Sequence, residues 1–203
     1  MNAQEFYHKF VNAVFEENKT DNGKTYFEIY HKSTGTGTEL TKLVKPIINR
    51  IIESGTDEKT GKDYISQNEY FKVDAIGYID RKEEMQNAAQ TESIDMNPHF
   101  WDLKIAVEHE NDKKDWFDEA IKLIYLKCPL KVIIGYSPCD KREEDLKKLH
   151  FLSTFMKKIN VFQEPHESYL IILGNSAGSY DYEKFDYIGY VYNWSIGEFE
   201  EIN

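Results

Sequence analysis

Two glutamates close an apolar stretch of the chain, which is an unusual position for carboxylates. Glu108 and Glu110 end the run WDLKIAVEHE, two residues apart, so they face the same side if this run is a β-strand. A second apolar run, YFKVDAIGY, encloses Asp74. Because a carboxylate taken out of water destabilises a fold unless it has a partner, these acids need counter-charges. Mg²⁺ prefers oxygen ligands of this kind, so the three acids predict a metal site.

The apolar periodicity of the chain predicts the elements that would position these acids. Helical spacing of apolar side chains predicts helices at residues 4–16, 40–51, 114–127 and 140–159. Apolar runs or alternation predict strands at residues 25–31, 64–66, 70–79, 101–110, 131–136, 169–173 and 187–194. Residues 80–98 are polar and predict a loop, and the final EFEEIN predicts a solvated end.

The order of these elements predicts an α/β fold. A strand, a helix and a second strand follow one another over residues 101–136, which predicts a parallel crossover. Neither face of residues 101–110 is wholly polar, as expected of a central strand that is covered on both sides. The length of 203 residues, without a long low-complexity linker, predicts a single domain over residues 1–203.

The order helix, three strands, helix, strand over residues 36–136 resembles the core of the PD-(D/E)XK nuclease superfamily, the restriction-endonuclease-like fold. In that family an aspartate on the second core strand and an acid-x-lysine on the third hold Mg²⁺ and position a water for attack on a phosphodiester. Asp74 matches the aspartate and Glu108 the acid, whereas Glu110 stands at the lysine position. The resemblance implies an αβββαβ core, with a central mixed sheet flanked by helices on both sides, to which residues 140–194 add a helix and strands.

The resemblance also implies a function and a cofactor. It implies an endonuclease of restriction, repair or defence type that hydrolyses DNA with Mg²⁺ or Mn²⁺. Asp74, Glu108 and Glu110 would hold the metal, and Glu39, near the start of the preceding helix, would add a further acid.

The lysine that Glu110 replaces would have to be supplied from elsewhere. Lys72, which shares a strand face with Asp74, or Lys122 on the following helix would provide the positive charge near a phosphate. Glu119 and Lys122 either line the site or merely pair with each other at i, i+3.

Two alternatives remain open from the sequence. Glu108 and Glu110 could end an edge strand in solvent, with Asp74 satisfied by backbone donors. The same fold could also serve as a non-catalytic, acidic interaction module that binds a protein or a nucleic acid, which is consistent with the net charge of −11 and the missing lysine.

Charge and composition indicate where the protein is located and which kinds of partner it has. Residues 113–158 carry eleven bases and seven acids, so the rest of the chain carries −15; this segment forms either a basic side beside the acids or ordinary solvated helix faces. No apolar run is long enough to span a bilayer and the first residues do not resemble a signal segment, which predicts no membrane partner and a cytoplasmic location with reduced Cys128 and Cys139. A homodimer is expected if both strands of a duplex are cut.

Three other signals are weaker. Residues 174–178, GNSAG, match the G-x-S-x-G nucleophile elbow, but no histidine follows them and the next residues are turn-like. The histidines and cysteines lack the spacing of a zinc site, and His109 is predicted to be a packed, hydrogen-bonded core residue. Aromatic side chains over residues 180–194 could stack on bases but are more typical of packing.

Overall fold

The structure is a computed structural model that describes residues 1–18, 29–30, 37–95, 100–111, 116–137, 142–158, 167–175 and 187–202. Its helices of nine residues or more, within these ranges, are α1 (Ala3–Asn18), α2 (Gly37–Glu53), α3 (Lys82–Thr91), α4 (Trp116–Ile124) and α5 (Arg142–Lys158). Its strands are β1 (Ile65–Tyr70), β2 (Val73–Asp80), β3 (Trp101–His109), β4 (Leu130–Ser137), β5 (Ser168–Asn175), β6 (Tyr187–Asn193) and β7 (Glu198–Ile202).

All seven strands form one mixed sheet in the order β1-β2-β3-β4-β5-β6-β7. The strands β1, β2 and β3 are antiparallel, β3, β4 and β5 are parallel, and β5, β6 and β7 are antiparallel again. The parallel pairing of β3 with β4 through α4 confirms the predicted crossover, because parallel neighbours need a connection that returns the chain to the same end of the sheet. The α/β class is therefore as predicted.

Helices cover the two faces of the sheet in pairs. Buried residues of α1 and α2 share one core with Ile105 and Val107 of β3, and we call this side the α1/α2 face. Buried residues of α4 and α5 share a second core with Ala106, and we call this side the α4/α5 face. The alternation along β3 follows from strand geometry, and it shows that β3 is buried on both sides, as its sequence predicts.

The helix α2 forms as its apolar spacing predicts. Leu40, Val44, Ile47 and Ile51 lie at helical intervals and are all buried against the sheet. Pro46 lies inside this helix, where the exposed side of α2 tolerates the missing backbone donor.

A glycine on β4 allows α4 to approach the sheet closely. A Cβ atom added at Gly135 would lie 2.6 Å from the Cβ of Trp116, the first residue of α4, and Trp116 is fully buried. The fold therefore holds α4 firmly over β4, which fixes the position of every side chain that α4 turns towards β3.

The predicted strands at residues 64–66 and 70–79 are in fact a hairpin of β1 and β2. Phe71 and Lys72 form the turn, and both have positive φ values, of 46° and 62°. The sequence does not predict this turn, because neither residue is a glycine or an asparagine, the residues that usually adopt positive φ values in hairpin turns. Lys72 consequently lies in the turn rather than on the face of β2 that it was expected to share with Asp74.

Three further predictions about the elements need correction. The polar segment 80–98, which was predicted to be a loop, contains the helix α3, in which only Ala89 is buried. The high helix propensity of its residues, rather than an apolar stripe, explains why this helix forms. The acidic end of the chain is β7, which pairs with β6 instead of being merely solvated. Within the predicted strand at residues 25–31, Ile29 and Tyr30 are helical, and residues 25–28 and 31 lie outside the described ranges.

Candidate functional site

Asp74 and Glu108 lie at the same end of two neighbouring strands. The antiparallel register pairs Ile76 with Ala106 and Ala75 with Val107, so the next position along β2 and β3 sets Asp74 opposite Glu108. Like charges directly opposite each other on a sheet repel, and this end of the sheet therefore needs compensating donors or cations.

The backbone provides one of these donors to Asp74. The N–H of His109 donates a hydrogen bond of 2.8 Å to the Asp74 carboxylate, which is partly buried. This bond ties the start of β2 to the end of β3 and fixes the position of the carboxylate. Asp74 is thus satisfied by a backbone donor, as one of the alternatives expected.

Glu108 does not lie in solvent at the end of an edge strand, which contradicts the other half of that alternative. Its side chain is 3% exposed, and β3 lies between β2 and β4 in the sheet. The Nζ atom of Lys122 on α4 lies 2.7 Å from the Glu108 carboxylate. Glu108 is therefore a buried acid in contact with a lysine from the covering helix.

Lys122 joins three parts of the fold. Besides Glu108, its ammonium group contacts the carboxylate of Glu119 one turn earlier in α4 and donates a hydrogen bond of 2.9 Å to the backbone carbonyl of Lys72. Lys122 and Glu119 thus pair with each other at i, i+3, and Lys122 also contacts the carboxylate of Glu108 near the end of β3. The turn between β1 and β2 is tied to the same ammonium group.

The electrostatics of this end of the sheet favour additional positive charge. Burial, together with the smaller effect of the nearby Asp74 and Glu119 carboxylates, outweighs the opposing effect of Lys122 and raises the pKa of Glu108 to about 8. The pKa of Lys122 is raised as well, because its hydrogen bonds and charge interactions with Glu108 and Glu119 outweigh the cost of burial, so it stays protonated. One ammonium group does not balance the surrounding carboxylates.

This raised pKa predicts a pH dependence of stability. Between the unfolded value of 4.5 and the folded value of about 8 the folded protein holds a proton that the unfolded chain has lost, so the free energy of unfolding contributed by Glu108 falls as the pH rises through this window. Urea denaturation at a series of pH values in EDTA should show this fall, and Glu108→Gln should show a smaller one. Equal pH slopes in the two proteins would contradict the raised pKa.

Within the residues that the structure describes, Glu110 and Glu39, the other two acids that were predicted to hold the metal, do not form a cluster of metal ligands with Asp74 and Glu108. Glu110 follows β3, and its N–H donates a hydrogen bond of 2.9 Å to the carbonyl of Ile134. Glu39 is exposed in the first turn of α2. Across the described ranges, no group of three or more histidine, cysteine, aspartate or glutamate side chains is arranged to hold a metal ion.

The pair of Asp74 and Glu108 nevertheless has donor chemistry that fits a divalent cation. Carboxylate oxygens are the ligands that Mg²⁺ and Mn²⁺ prefer, and the two acids come from opposite positions of adjacent strands. The Lys122 ammonium group stands in for a cation at Glu108, which shows that a positive charge fits beside this carboxylate. Asp74 and Glu108 are the residues that would hold the metal first.

A small pocket of about 10 Å³ opens beside Asp74 on the side of α2. It is lined by Thr41, Lys45, Ile48, Asp74, Ala75 and His109. Sequence reasoning missed Thr41 and Lys45; their i, i+4 spacing on α2 was the available signal.

The prediction that His109 is a packed, hydrogen-bonded residue is confirmed. His109 is buried, and its Nε2 atom lies 2.8 Å from the hydroxyl of Tyr136. Burial lowers the pKa of His109 to about 3, so the ring is neutral at physiological pH.

The basic segment of residues 113–158 is partly neutralised by the end of the chain. Arg142 lies 2.7 Å from Glu201, and Lys157 lies 2.8 Å from Glu198, so two bases of α5 pair with acids of β7. The solvated-face interpretation therefore holds for these side chains, whereas Lys122 of the same segment reaches the acidic pair.

The weaker sequence signals gain no support as sites. Gly174 and Asn175 end β5, and the rest of the GNSAG motif lies outside the described ranges. Cys128 is a buried free thiol, and Cys139 also lies outside those ranges. No helix in the part of the chain that the structure describes is both long and apolar enough to cross a membrane.

Comparisons with protein-family models, with curated proteins and with solved structures give no significant match. The functional interpretation therefore depends on Asp74, Glu108 and Lys122 and on the elements that position them.

Proposed function

We propose that this protein is a metal-dependent nuclease of the PD-(D/E)XK type that hydrolyses DNA phosphodiester bonds with Mg²⁺ or Mn²⁺. The observation that carries the proposal is the placement of Asp74 opposite Glu108 at one end of β2 and β3, with the Lys122 ammonium group 2.7 Å from the Glu108 carboxylate. Two acids at adjoining strand ends, with a lysine in contact with one of them, form a charge pattern suited to binding a cation and a phosphate together.

The arrangement of the strands supports this proposal. The chain runs through α2, β1, β2, α3, β3, α4 and β4, with β1, β2 and β3 antiparallel and β3 parallel to β4. The restriction-endonuclease-like fold implies the order αβββαβ, and this chain has that order with α3 added between β2 and β3. Asp74 is the second residue of β2, and Glu108 is the last but one of β3, so the motif positions fall at adjoining strand ends.

The residues of the site would have distinct roles. Asp74 and Glu108 would hold the divalent cation, with Glu110 and Glu39 as further acids. A bound divalent cation lowers the pKa of its water and neutralises charge on the phosphate.

Lys122 is better placed than Lys72 to supply the positive charge that Glu110 does not. The Lys122 ammonium group already contacts Glu108, whereas Lys72 contributes its backbone carbonyl to this contact network and its side chain is exposed in the turn. The lysine of the family motif would thus be replaced in function by a residue of α4.

Incubation of the purified protein with supercoiled plasmid, linear duplex and single-stranded DNA tests the proposal. We expect cleavage of at least one of these substrates with Mg²⁺ or Mn²⁺ and none in EDTA. If all three substrates remain intact with both metals, the chain is not a nuclease of this type.

One observation favours the non-catalytic alternative as a second candidate. Lys122 already balances part of the charge of Glu108, as expected if the acids serve the fold of an interaction module rather than a metal. A protein of that kind would leave DNA intact and would bind Mn²⁺ no better than its Glu108→Gln variant does.

The setting of the proposed enzyme follows from the same reasoning. A DNA substrate and a cytoplasmic location belong to the proposal, and a homodimer is expected if both strands of a duplex are cut.

A further inference from the structure

Four aromatic side chains form a continuous strip across β1, β2 and β3. The ring centroids are 4.5 Å apart for Phe71 and Tyr70, 4.7 Å for Tyr70 and Trp101, and 4.6 Å for Trp101 and Tyr78. We call these four residues the aromatic strip. Tyr70, Tyr78 and Trp101 are only partly buried and pack against the edge of the α4/α5 core.

Core packing does not account for Phe71, which lies at the end of the strip. Its side chain is 80% exposed in the turn between β1 and β2. Its φ value of 46° lies in the left-handed region, which bulky side chains rarely adopt. The neighbouring Lys72, at 62°, and Glu69, at 58°, share this conformation. The hairpin therefore holds an aromatic ring in solvent on a strained backbone, a combination that is characteristic of binding sites.

The strip adjoins the proposed catalytic acids. The carbonyl of Lys72, the residue after Phe71, accepts a hydrogen bond from the Lys122 ammonium group, which contacts Glu108. The Phe71 end of the strip is therefore next to Lys122, the residue that contacts Glu108.

The charge beside the strip is suited to a phosphate backbone. The side chain of Lys72 is exposed and forms no ion pair within the ranges that the structure describes. Lys122 is 37% exposed at the junction of the strip and the acids. The Lys72 ammonium group provides a contact for phosphates, and the neighbouring row of rings provides a surface for bases.

Single-stranded nucleic acid is the occupant that these features fit. Every base has a flat face that stacks on an aromatic ring, whereas a duplex buries the faces of its bases between neighbouring pairs. Duplex binding would instead call for a broad basic surface, whereas stacking on the strip uses the exposed faces of unpaired bases.

We propose that the aromatic strip stacks on unpaired bases and that the substrate of the proposed nuclease is single-stranded nucleic acid or a single-stranded segment next to a duplex. This inference rests on the proposed function for the cleavage step, but the binding of bases by the strip can be tested without it.

Fluorescence anisotropy with a labelled oligothymidine and a duplex of equal length tests the strip in EDTA, where no metal-dependent cleavage occurs. We expect the wild type to bind the single strand more tightly, and Phe71→Ala to weaken this binding at least about fivefold, the lower end of the loss for one stacked base. Phe15→Ala is the matched control, because Phe15 is a phenylalanine of α1 with 54% exposure, and it should bind as the wild type does.

The fluorescence of Trp101 provides a second readout, which is independent of the Phe71 variant. Oligothymidine should quench tryptophan fluorescence in the wild type, and Trp101→Phe should remove most of this quenching, since Trp116 is fully buried and Trp194 packs against Tyr169 and Tyr192 instead of the strip. Unchanged quenching in Trp101→Phe would place the bases elsewhere.

The outcomes separate this inference from the proposed function. If Phe71→Ala and the wild type bind the single strand equally, the strip is not a base-binding surface, whether or not the protein cleaves DNA. A dimer that Phe71→Ala disrupts, without single-strand binding by the wild type, would make the strip a self-association surface and overturn the inference. Single-strand binding that Phe71→Ala weakens, without cleavage by any metal, would support the strip and reject the nuclease.

Discussion

Replacement of Glu108 by glutamine is expected to lower the rate of metal-dependent DNA cleavage by about 100-fold or more. Glutamine keeps the size of the side chain but removes the charge that would hold the cation at the end of β3. The fold should persist, because Lys122 keeps its contacts with Glu119 and with the carbonyl of Lys72. The measurement is the initial rate of cleavage of the best substrate at saturating Mg²⁺.

Asp102→Asn provides the matched control for this change. Asp102 lies on β3, as Glu108 does, but it pairs with Lys104 at 2.8 Å near the opposite end of the strand. Its rate should stay close to that of the wild type. If Glu108→Gln cleaves DNA as fast as Asp102→Asn, Glu108 has no part in catalysis, and any nuclease activity belongs to another site.

Removal of the Glu167 carboxylate is expected to lower the free energy of unfolding by about 3–5 kcal/mol. Lys131 of β4 is fully buried, and its ammonium group lies 2.6 Å from Glu167 and 2.9 Å from the Tyr169 hydroxyl. Glu167→Ala would leave this ammonium group without its counter-charge in the α4/α5 core. Urea denaturation at neutral pH measures the loss.

A double variant shows whether charge is the cause of this loss. In Lys131→Met with Glu167→Gln both charges are absent and the volumes are nearly kept, so it should be more stable than Glu167→Ala alone. If the double variant is no more stable than Glu167→Ala, lost packing rather than an unpaired buried charge explains the destabilisation. This pair is independent of the acids at the other end of β3, so neither change should alter metal binding.

Much of the fold follows from hydrophobic patterning, and the exceptions have physical causes. β3, β4 and α2 are long and strongly apolar on the sides that they bury, so burial fixes both their type and their position. In α3 only Ala89 is buried, and β7 owes its place to pairing with β6, so neither has an apolar pattern. The hairpin turn uses φ values that its residues rarely adopt, and local propensity therefore predicted a strand at residues 70–79 that ran through the turn.

The acidic residues of the candidate site could be predicted from the sequence, but the lysine that contacts them could not. A strand that ends in Glu108 after an apolar run signals a buried carboxylate. The opposition of Asp74 and Glu108 depends on the register of β2 against β3, which carries a shift between Gly77 and Tyr78 that the sequence does not reveal. The approach of Lys122 depends on the close packing of α4 at Gly135, a tertiary contact without a local signature.

Calorimetric titration with Mn²⁺ tests most directly whether Asp74 and Glu108 hold a metal. The wild type should bind Mn²⁺ with an affinity in the micromolar range, and Asp74→Asn and Glu108→Gln should each lose this binding, whereas Asp102→Asn should retain it. The absence of Mn²⁺ binding by the wild type, or equal binding by the wild type and both variants, would contradict the metal site on which the proposed nuclease depends.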